Sequence, residues 1–362
     1  MRTSMIRRSG LTRQAVLLVT VALVLAACSG GTASSAPSAA TAAPTTAASQ
    51  PAASPSALAK TLEIAYISFA VANSYDAPML AAAQAAAAAG NAKLTVFDGN
   101  LDPATQTKQI QDATASGKFD AILTQPVFGA GLVTVVQDAI KANIAVGNID
   151  QILGPDNTTS KSQIDGLMAN VAFVPSTLGT KIGDLVVKAC AGKNPCKVGY
   201  IYSVKAAALD TTLKTAFDEA TAAHPEIKIV AEGESFYMTA LGLKASQDML
   251  QAHPDLSVIV GADQAITGAV QAADAAGVKD TVALVGYGGG AIALQDIASG
   301  KRFGTVMQMP ATEGRLGVEQ LIQAIRSGTP LAGVDPLDTL PEGGVVTKDN
   351  VSTFLPLAEW PG

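Results

Sequence analysis

The sequence has few aromatic residues, few charged residues and almost no histidine or cysteine, and these scarcities exclude several classes of function. Aromatic residues make up 4% and charged residues 15% of the 362 residues, with two histidines and three cysteines. Both histidines precede prolines, in AHPEI and AHPDL, where helices end, so neither stands at metal-ligand spacing or at the carboxyl end of a strand. We therefore expect no metal site, no cofactor and no enzymatic activity.

The chain also lacks a cluster of basic residues. Its formal net charge is −6, and the first 27 residues contain four arginines and no acidic residue, so the remainder carries −10. A domain this acidic repels phosphate groups. We therefore expect no binding to nucleic acid.

The N-terminus contains a short hydrophobic run but not a long one. Arginines between residues 2 and 13 precede an apolar stretch, Ala15 to Leu25, of about eleven residues, whereas a membrane-spanning helix needs about 20. The following LAAC, residues 25–28, resembles a bacterial lipoprotein signal, in which Cys28 becomes the lipidated first residue. We predict a signal peptide over 1–27; an ordinary signal peptide with a chance cysteine, or an uncleaved anchor, remains the alternative.

Residues 28–58 are rich in Ala, Ser, Thr and Pro and contain no charged residue. Such a segment buries too little apolar surface to offset the entropy of ordering, which predicts a flexible tether. The folded part is therefore expected outside the cytoplasmic membrane, anchored to the outer face of the cell membrane through Cys28.

The other two cysteines, Cys190 and Cys196, lie in CAGKNPC. In an exported protein, this spacing across an Asn-Pro turn predicts a short structural disulfide. A metal site is the alternative, but two thiolates without a nearby histidine disfavour it.

From Thr61 onward, short β-branched runs alternate with Ala-rich amphipathic stretches, as is typical of parallel sheets joined by helical crossovers. The first series has strands LEIAYISF, KLTVFD, AILTQ and NIAVGNI, with helices near 77–89, 103–117 and 130–142. A second series begins at 171–174 and continues with KVGYIYS, IKIVAE, LSVIVGA, TVALVGY and FGTVMQM. We therefore predict two α/β domains, each a doubly wound parallel sheet.

Ligands of parallel sheets bind beyond the carboxyl ends of the strands, so the polar and aromatic residues there are the candidates for ligand binding. The candidate ligand-binding residues are Asn73, Tyr75, Asp76, Asp150, Gln151, Tyr237, Asp263, Tyr287 and Gln308. Carboxylates and rings suit hydroxyl-rich neutral ligands or cations. For several of them a structural role is the alternative. Asp76 and Asp263 can cap the helices that follow, and Asp150 can cap a helix or occupy a turn. Asn73 and Tyr75 can be ordinary turn and core residues, and Tyr237 can cover a hydrophobic edge.

The stretch GYGGGA, residues 286–291, fits the glycine pattern of a dinucleotide site. It belongs to a late unit, and no acidic residue ends the next strand to bind a ribose, which disfavours that site. We expect instead a close backbone approach at the rim of the cleft, with free N–H groups at a helix start.

From about Thr61 to Gly328 the chain resembles the sugar-binding receptors of ABC transporters in the ribose-binding-protein-like group, which have the periplasmic binding protein type I fold. The resemblance rests on the order and spacing of IAYISFAVANSY, NIAVGNID, AHPDLSVIVGADQAITGAVQAADAAG, VALVGYG and GTVMQMP. It implies two lobes joined by a three-segment hinge, which close over a sugar and are recognised by a membrane permease.

The resemblance implies roles for individual residues. Asn73 matches a sugar-binding Asn, Tyr75 a stacking ring and Asp150 the Asp that accepts bonds from sugar hydroxyls. Tyr237 lies near a second stacking ring, and Gln308 matches the Gln that ends the last strand before the chain crosses back.

The sequence departs from the family pattern at several of these places. A ring expected after Tyr75 is Asp76, and an Arg that commonly follows the cleft Asp is Gln151. An Asn before Asp263 is Ala262, and an Asp expected in the strand-end loop is Gly288. Another usual ligand-binding Arg has no match, Lys205 and Asp210 being the nearby polar candidates. These departures put ribose itself in doubt.

The predicted lobes are 59–168 with 310–339 and 169–309 with 340–362, with hinges near Leu167–Val171, Gln308–Pro310 and Asp338–Gly344. We expect a monomeric solute-binding protein that delivers a sugar or sugar-like molecule to an ABC transporter permease. A sensor that presents its closed form to a signalling partner, and a receptor for a polyol or small cationic solute, are the alternatives.

Overall fold

The computed structural model describes residues 60–362. The predicted signal peptide, the lipidation site at Cys28 and the tether over 28–58 lie outside the described residues and stay predictions. Within 60–362, no helix has both the length and the apolar character that crossing a membrane requires.

The described chain contains eleven strands and ten α-helices, numbered in chain order. The strands are β1 (Leu62–Ser68), β2 (Ala92–Asp98), β3 (Ala121–Thr124), β4 (Ala145–Asp150), β5 (Ala169–Ala172), β6 (Cys196–Tyr202), β7 (Ile227–Glu234), β8 (Val258–Ala262), β9 (Ala283–Gly288), β10 (Gly304–Met307) and β11 (Val345–Thr347). The helices are α1 (Asp76–Ala89), α2 (Pro103–Ser116), α3 (Gly129–Lys141), α4 (Pro175–Ala189), α5 (Ala208–Thr221), α6 (Thr239–Ala252), α7 (Asp263–Ala276), α8 (Ala291–Ala298), α9 (Pro310–Ser327) and α10 (Val351–Phe354).

The first sheet has the order β2-β1-β3-β4-β5, and all its strands are parallel. One apolar cluster packs α1 and α9 against it through residues such as Met79 and Leu321. A second cluster packs α2 and α3 against it through residues such as Ile110 and Val136. The first lobe is therefore a sheet covered by helices on both faces, as the alternating sequence pattern predicts.

The second sheet has the order β11-β10-β9-β8-β6-β7. Its strands are parallel except β11, which pairs antiparallel with β10. Residues of α4 and α5 pack in one apolar cluster and residues of α6 and α7 in another. The two predicted α/β units are confirmed, and β11 is an edge strand that the sequence analysis did not predict.

The chain passes between the two sheets three times. It leaves the first sheet after β5 and returns between Met307 and Pro310. It leaves again after Val334, which forms a β-bridge with Val171 of β5. The prediction that the second series begins at 171–174 was wrong, because β5 pairs with β4 and so extends the first sheet to Ala172. A short apolar run does not indicate which of two sheets it joins.

Small residues allow the helices of the first lobe to pack closely. A Cβ placed on Gly314 of α9 would lie 2.1 Å from the carbonyl oxygen of Met79 in α1, so no larger residue fits at this contact. The high Ala and Gly content is therefore used in helix packing.

The disulfide prediction is confirmed. Cys190 follows α4 and Cys196 begins β6, and the two are bonded with their Cα atoms 5.6 Å apart. The bond lies at the amino ends of the strands of the second sheet, at the edge opposite to the candidate site.

Candidate functional site

A cavity lies where the carboxyl ends of the two sheets face each other. The space between its walls, open solvent included, amounts to about 460 Å³. It is lined by Phe69, Asn73, Tyr75, Asp76, Asp150, Gln151, Phe173, Leu209, Tyr237, Ala262, Gln264, Tyr287, Gly288, Gln308 and Trp360. Eight of the nine candidate ligand-binding residues therefore line one cavity, and Asp263 does not.

The first lobe contributes two buried carboxylates that share one partner. Nε2 of Gln125 lies 2.5 Å from Oδ1 of Asp76 and 3.0 Å from Oδ2 of Asp150. Oε1 of Gln125 accepts from the backbone N–H of Phe69 at 3.1 Å, which fixes the orientation of the amide. Gln125 follows β3, which lies between β1 and β4, so the strand order places its amide between the two acids.

A third acid, Glu313 in the first turn of α9, joins this cluster. The hydroxyl of Tyr75 lies 3.3 Å from Oδ1 of Asp150 and 3.4 Å from Oε2 of Glu313, and its single hydrogen serves only one of them. Oε1 of Glu313 is buried without a hydrogen-bond partner. Glu313 was not among the residues predicted from the sequence, because its only local signal is an acid in the first turn of a helix, which is common.

The environment of these acids favours their protonated forms. Burial raises the pKa of Asp150 from 3.8 to about 6, against hydrogen bonds with Gln125, Glu313 and Tyr75 that lower it. Burial, followed by the charge of Asp150, raises the pKa values of Asp76 and Glu313 well above their ordinary values. In residues 60–362, no Lys, Arg or His forms an ion pair with any of the three.

Asp76 does not cap the helix that follows it. The helix begins at Asp76 itself, and its N-cap residue, Tyr75, makes no capping hydrogen bond through its side chain. Asn73 instead accepts from the backbone N–H of Tyr75 at 2.8 Å, which shapes the loop after β1. The side chain of Asp76 is 3% exposed and lies at the cavity wall.

The second lobe contributes a group of hydroxyls and rings. The hydroxyl of Tyr287 lies 2.8 Å from Oγ of Ser203, at the end of β6. Asp210 accepts from the backbone N–H groups of Ser203 and Val204, so it shapes this loop. Lys205 is exposed and pairs with Glu232 at 2.7 Å. Neither candidate for the missing Arg, Lys205 or Asp210, lines the cavity.

Three lining or neighbouring residues have left-handed backbone conformations. Asp150 has φ +68°, Phe236 +48° and Tyr237 +55°. Residues other than glycine adopt this region at a cost, and such positions concentrate at functional sites. These side chains are therefore positioned by the surrounding fold against local backbone preference.

The carboxylate of Asp263, in contrast, is used in hydrogen bonds within the protein. This buried carboxylate accepts from Arg302 at 3.1 Å, from Thr305 at 3.1 Å and from the backbone N–H of Gly289 at 2.6 Å. The structure thus corrects the prediction of a ligand contact, because these donors use the carboxylate to hold the loop after β9.

The expected free N–H groups of GYGGGA are also not free. Those of Gly289 and Gly290 face Asp263, and those of Ala291 and Ile292 donate to the carbonyls of Trp360 and Pro361, each at 2.9 Å. The backbone of this glycine run is closely approached, as expected, but the group that approaches it is the C-terminal segment of the same chain.

Aromatic rings close the cavity between the lobes. Phe69 and Tyr237 meet edge to face with centroids 6.4 Å apart, and Tyr75 and Trp360 do so at 5.5 Å. Phe69 and Trp360 were not among the residues predicted from the sequence. Trp360 lies after the last predicted strand, where no pattern connects it to the site.

Comparison with known proteins agrees with this architecture. The family of periplasmic binding protein domains matches residues 64–329. The ribose import binding protein of Escherichia coli is 28% identical over 228 residues, covering 62% of this chain and 72% of that protein.

Two solved structures have the same fold. A galactofuranose binding protein superposes with a TM-score of 0.71 at 22% identity, covering 82% of this chain and 97% of that one. A solute binding protein of an ABC transporter from Bacillus halodurans, with bound myo-inositol, gives 0.71 at 19% identity, covering 82% and 98%.

Proposed function

The chain belongs to the family of periplasmic binding protein domains, and on this basis we propose that it captures a sugar or sugar-like molecule for an ABC importer. Membership of this family implies an extracytoplasmic location, and the family consists of solute-binding transport proteins. The observation that carries the proposal is a cavity between the two lobes that is lined by carboxylates, amides and aromatic rings.

The lining suits a small hydroxyl-rich molecule. Asp76 and Asp150 are acceptors for hydroxyl groups, while the amides of Asn73, Gln151 and Gln308 both donate and accept. The rings of Tyr75 and Tyr237 offer apolar faces to the C–H groups of a sugar or cyclic polyol. Polar groups at few positions within an apolar wall are typical of sites that orient one small ligand.

We propose that the protein works by closure of the two lobes about the three crossing segments. A ligand that contacts both lobes binds the closed state better than the open one and so shifts the population toward it. The closed shape is then recognised by the permease. No catalytic step and no cofactor enter this proposal, and the protein acts as a monomer anchored through a lipid on Cys28.

A small cationic solute, such as an amine or an amino sugar, is the second candidate. It is favoured by one observation: Asp76, Asp150 and Glu313 are three buried carboxyl groups close to one another, and no Lys, Arg or His of residues 60–362 forms an ion pair with any of them. A ligand ammonium group would supply the missing charge. Among the described residues, no group of acids is arranged to bind a metal ion, so a metal is not proposed.

A thermal-shift screen followed by calorimetry tests both candidates. The panel contains D-ribose, D-galactose, D-allose, myo-inositol, glycerol, D-glucosamine and putrescine. A ligand that binds only the folded state raises the melting temperature by mass action. A shift with a neutral sugar or polyol supports the first candidate, a shift confined to the amines supports the second, and no shift with any compound contradicts both.

The anchor has a separate test. The wild-type protein is expected in the membrane fraction of a bacterial host, and Cys28→Ala in the soluble fraction. Equal distribution of the two would contradict lipidation at Cys28.

A further inference from the structure

We infer that the C-terminal segment 358–362 is a latch of the binding site, which presses the ring of Trp360 against the ligand and links the two lobes when they close. This inference rests on the proposed function, because it takes the cavity between the lobes to be where a small molecule binds. It adds a binding residue and a closing element to that site.

Trp360 has the position of a ligand-binding ring. It lines the cavity, is 3% exposed, and contacts Tyr75 edge to face. Its Nε1 donates to the carbonyl of Gly288 at 2.9 Å, so the indole is held by a hydrogen bond at one edge. A ring held in this way offers its face to a ligand without a large loss of side-chain entropy.

The glycine run after β9 is shaped to receive this segment. A Cβ placed on Gly288 would lie 2.6 Å from Cζ2 of Trp360, and one on Gly290 would lie 2.7 Å from Cα of Gly362. Gly288 also has φ +134°, a conformation that other residues rarely adopt. The glycine pattern that suggested a dinucleotide site is thus used to seat the C-terminal segment beside the cavity.

The segment is bonded to both lobes. On the second lobe, the carbonyls of Trp360 and Pro361 accept from the first residues of α8. On the side of α9, which packs against the first sheet, the carboxylate of Glu359 accepts from the backbone N–H of Thr312 at 2.9 Å and from its hydroxyl at 2.5 Å. A stretch of three residues therefore joins the lobes without being one of the covalent crossings.

These bonds indicate which contacts break when the lobes separate. Three hydrogen bonds, two from α8 and one to Gly288, hold the segment on the second lobe, whereas Thr312 supplies two bonds from α9. The segment is thus expected to move with the second lobe. Opening then breaks the Glu359–Thr312 contact and withdraws Trp360 from Tyr75.

Trp360 is the only tryptophan of the chain, so its fluorescence reports on the latch directly. In the first experiment, acrylamide quenching of the emission is compared between the wild type, Glu359→Ala and Thr312→Val, without any ligand. The two variants are expected to be quenched more strongly, since the ring becomes accessible when the contact with α9 is lost. Quenching equal to that of the wild type in both variants would overturn the latch.

In the second experiment, calorimetry measures the binding of D-ribose, myo-inositol and D-glucosamine to Trp360→Ala and Trp360→Phe. We expect Trp360→Ala to weaken binding of whichever probe the wild type binds by about tenfold or more, and Trp360→Phe to retain most of the affinity. Leu355→Ala, an exposed apolar change in the same terminal region, is the matched control and should match the wild type.

The outcomes separate the inference from the proposed function. Unchanged affinity of Trp360→Ala for a probe that the wild type binds overturns the role of the ring, while the proposed function stands. If the wild type binds none of the probes, the proposed function loses its support. The latch is then decided by the quenching experiment alone.

Discussion

Asp76 and Asp150 accept hydrogen bonds from the same atom, Nε2 of Gln125, at 2.5 Å and 3.0 Å. One amide group thus partners two buried acids that come from different parts of the first lobe. Each of its two hydrogens serves one carboxylate, and its oxygen is used by the backbone of Phe69. The positions of the Asp76 and Asp150 carboxylates therefore depend on Gln125, a residue that does not line the cavity.

Gln125→Glu is expected to disrupt this arrangement. The change replaces two donors with a further acid beside Asp76 and Asp150, and leaves at least one buried acceptor without a donor. We expect the free energy of unfolding at pH 7 to fall by about 1–3 kcal/mol, measured by urea denaturation. Binding of any sugar found in the screen should also be lost.

The matched control for this variant is Gln111→Glu, the same change at an exposed position of α2. It should leave both the unfolding midpoint and binding unchanged. If Gln125→Glu unfolded at the same urea concentration as the wild type, the shared hydrogen bonds would not stabilise the fold.

The raised pKa of Asp150 predicts how stability depends on pH. Its folded pKa of about 6 lies above its ordinary value of 3.8, so the folded protein binds this proton more tightly than the unfolded chain. The resulting stabilisation is complete below about pH 4 and is lost as the pH rises through 6. Asp76 and Glu313 shift in the same direction, so the empty protein should become less stable from pH 4 toward pH 8.

Asp150→Asn tests this dependence. It removes the buried charge and keeps the shape, so at pH 8 the empty variant should be more stable than the wild type, by about 1–3 kcal/mol, while ligand binding weakens. Asp274→Asn, at an exposed position of α7, should follow the wild-type curve at every pH. A variant of Asp150 that lost stability at pH 8 would show that its charge is compensated in the fold.

The periodicity of the sequence predicted the two α/β units. The positions after the predicted strands identified eight residues that line one cavity in the structure. They did so because parallel strands present their carboxyl ends at a common edge. Asp263 also follows a strand, but its partner Arg302 comes from 39 residues later in the chain. Only the folded structure shows that this carboxylate is already paired.

Other parts of the site had no distinctive local signal in the sequence. Glu313 joins Asp150 because α9 returns to the first sheet after the second crossing, and Trp360 reaches the cavity from a segment without periodicity. The strand β5 was assigned to the wrong sheet because its apolar run fits either one equally well. Tertiary pairing, which sequence patterns do not encode locally, decides all three.

The disulfide is expected to stabilise the protein without affecting binding. It closes a short loop before β6, and loop-closure entropy for such a length corresponds to about 2 kcal/mol. Replacing Cys190 and Cys196 together by alanine should lower the free energy of unfolding by that amount. Calorimetry should give an unchanged ligand affinity, because the disulfide lies at the strand edge opposite to the cavity. A weakened affinity would show that the disulfide affects ligand binding and would contradict this prediction.

Asp263→Asn separates a structural role from a ligand contact. The guanidinium of Arg302 is fully buried and pairs with Asp263 at 3.1 Å and with Asp296 at 3.1 Å. Asp263→Asn leaves Arg302 paired with Asp296. It puts an amide NH2 in place of an acceptor oxygen beside the donors Arg302, Thr305 and Gly289, which destabilises by about 1–3 kcal/mol. Without ligand, the melting temperature of Asp263→Asn should therefore lie clearly below that of the wild type, as measured by differential scanning calorimetry.

The control for Asp263→Asn is Asp255→Asn, which removes an exposed partner of Lys197 and should leave the melting temperature unchanged. Asp263 also accepts from Gly289, which follows the Gly288 that holds Trp360, so its loss should loosen the seat of the indole. Acrylamide quenching of Trp360 in Asp263→Asn should then increase at temperatures where the variant is still folded. If the variant kept the wild-type melting temperature but lost ligand binding, Asp263 would instead be a ligand-binding residue.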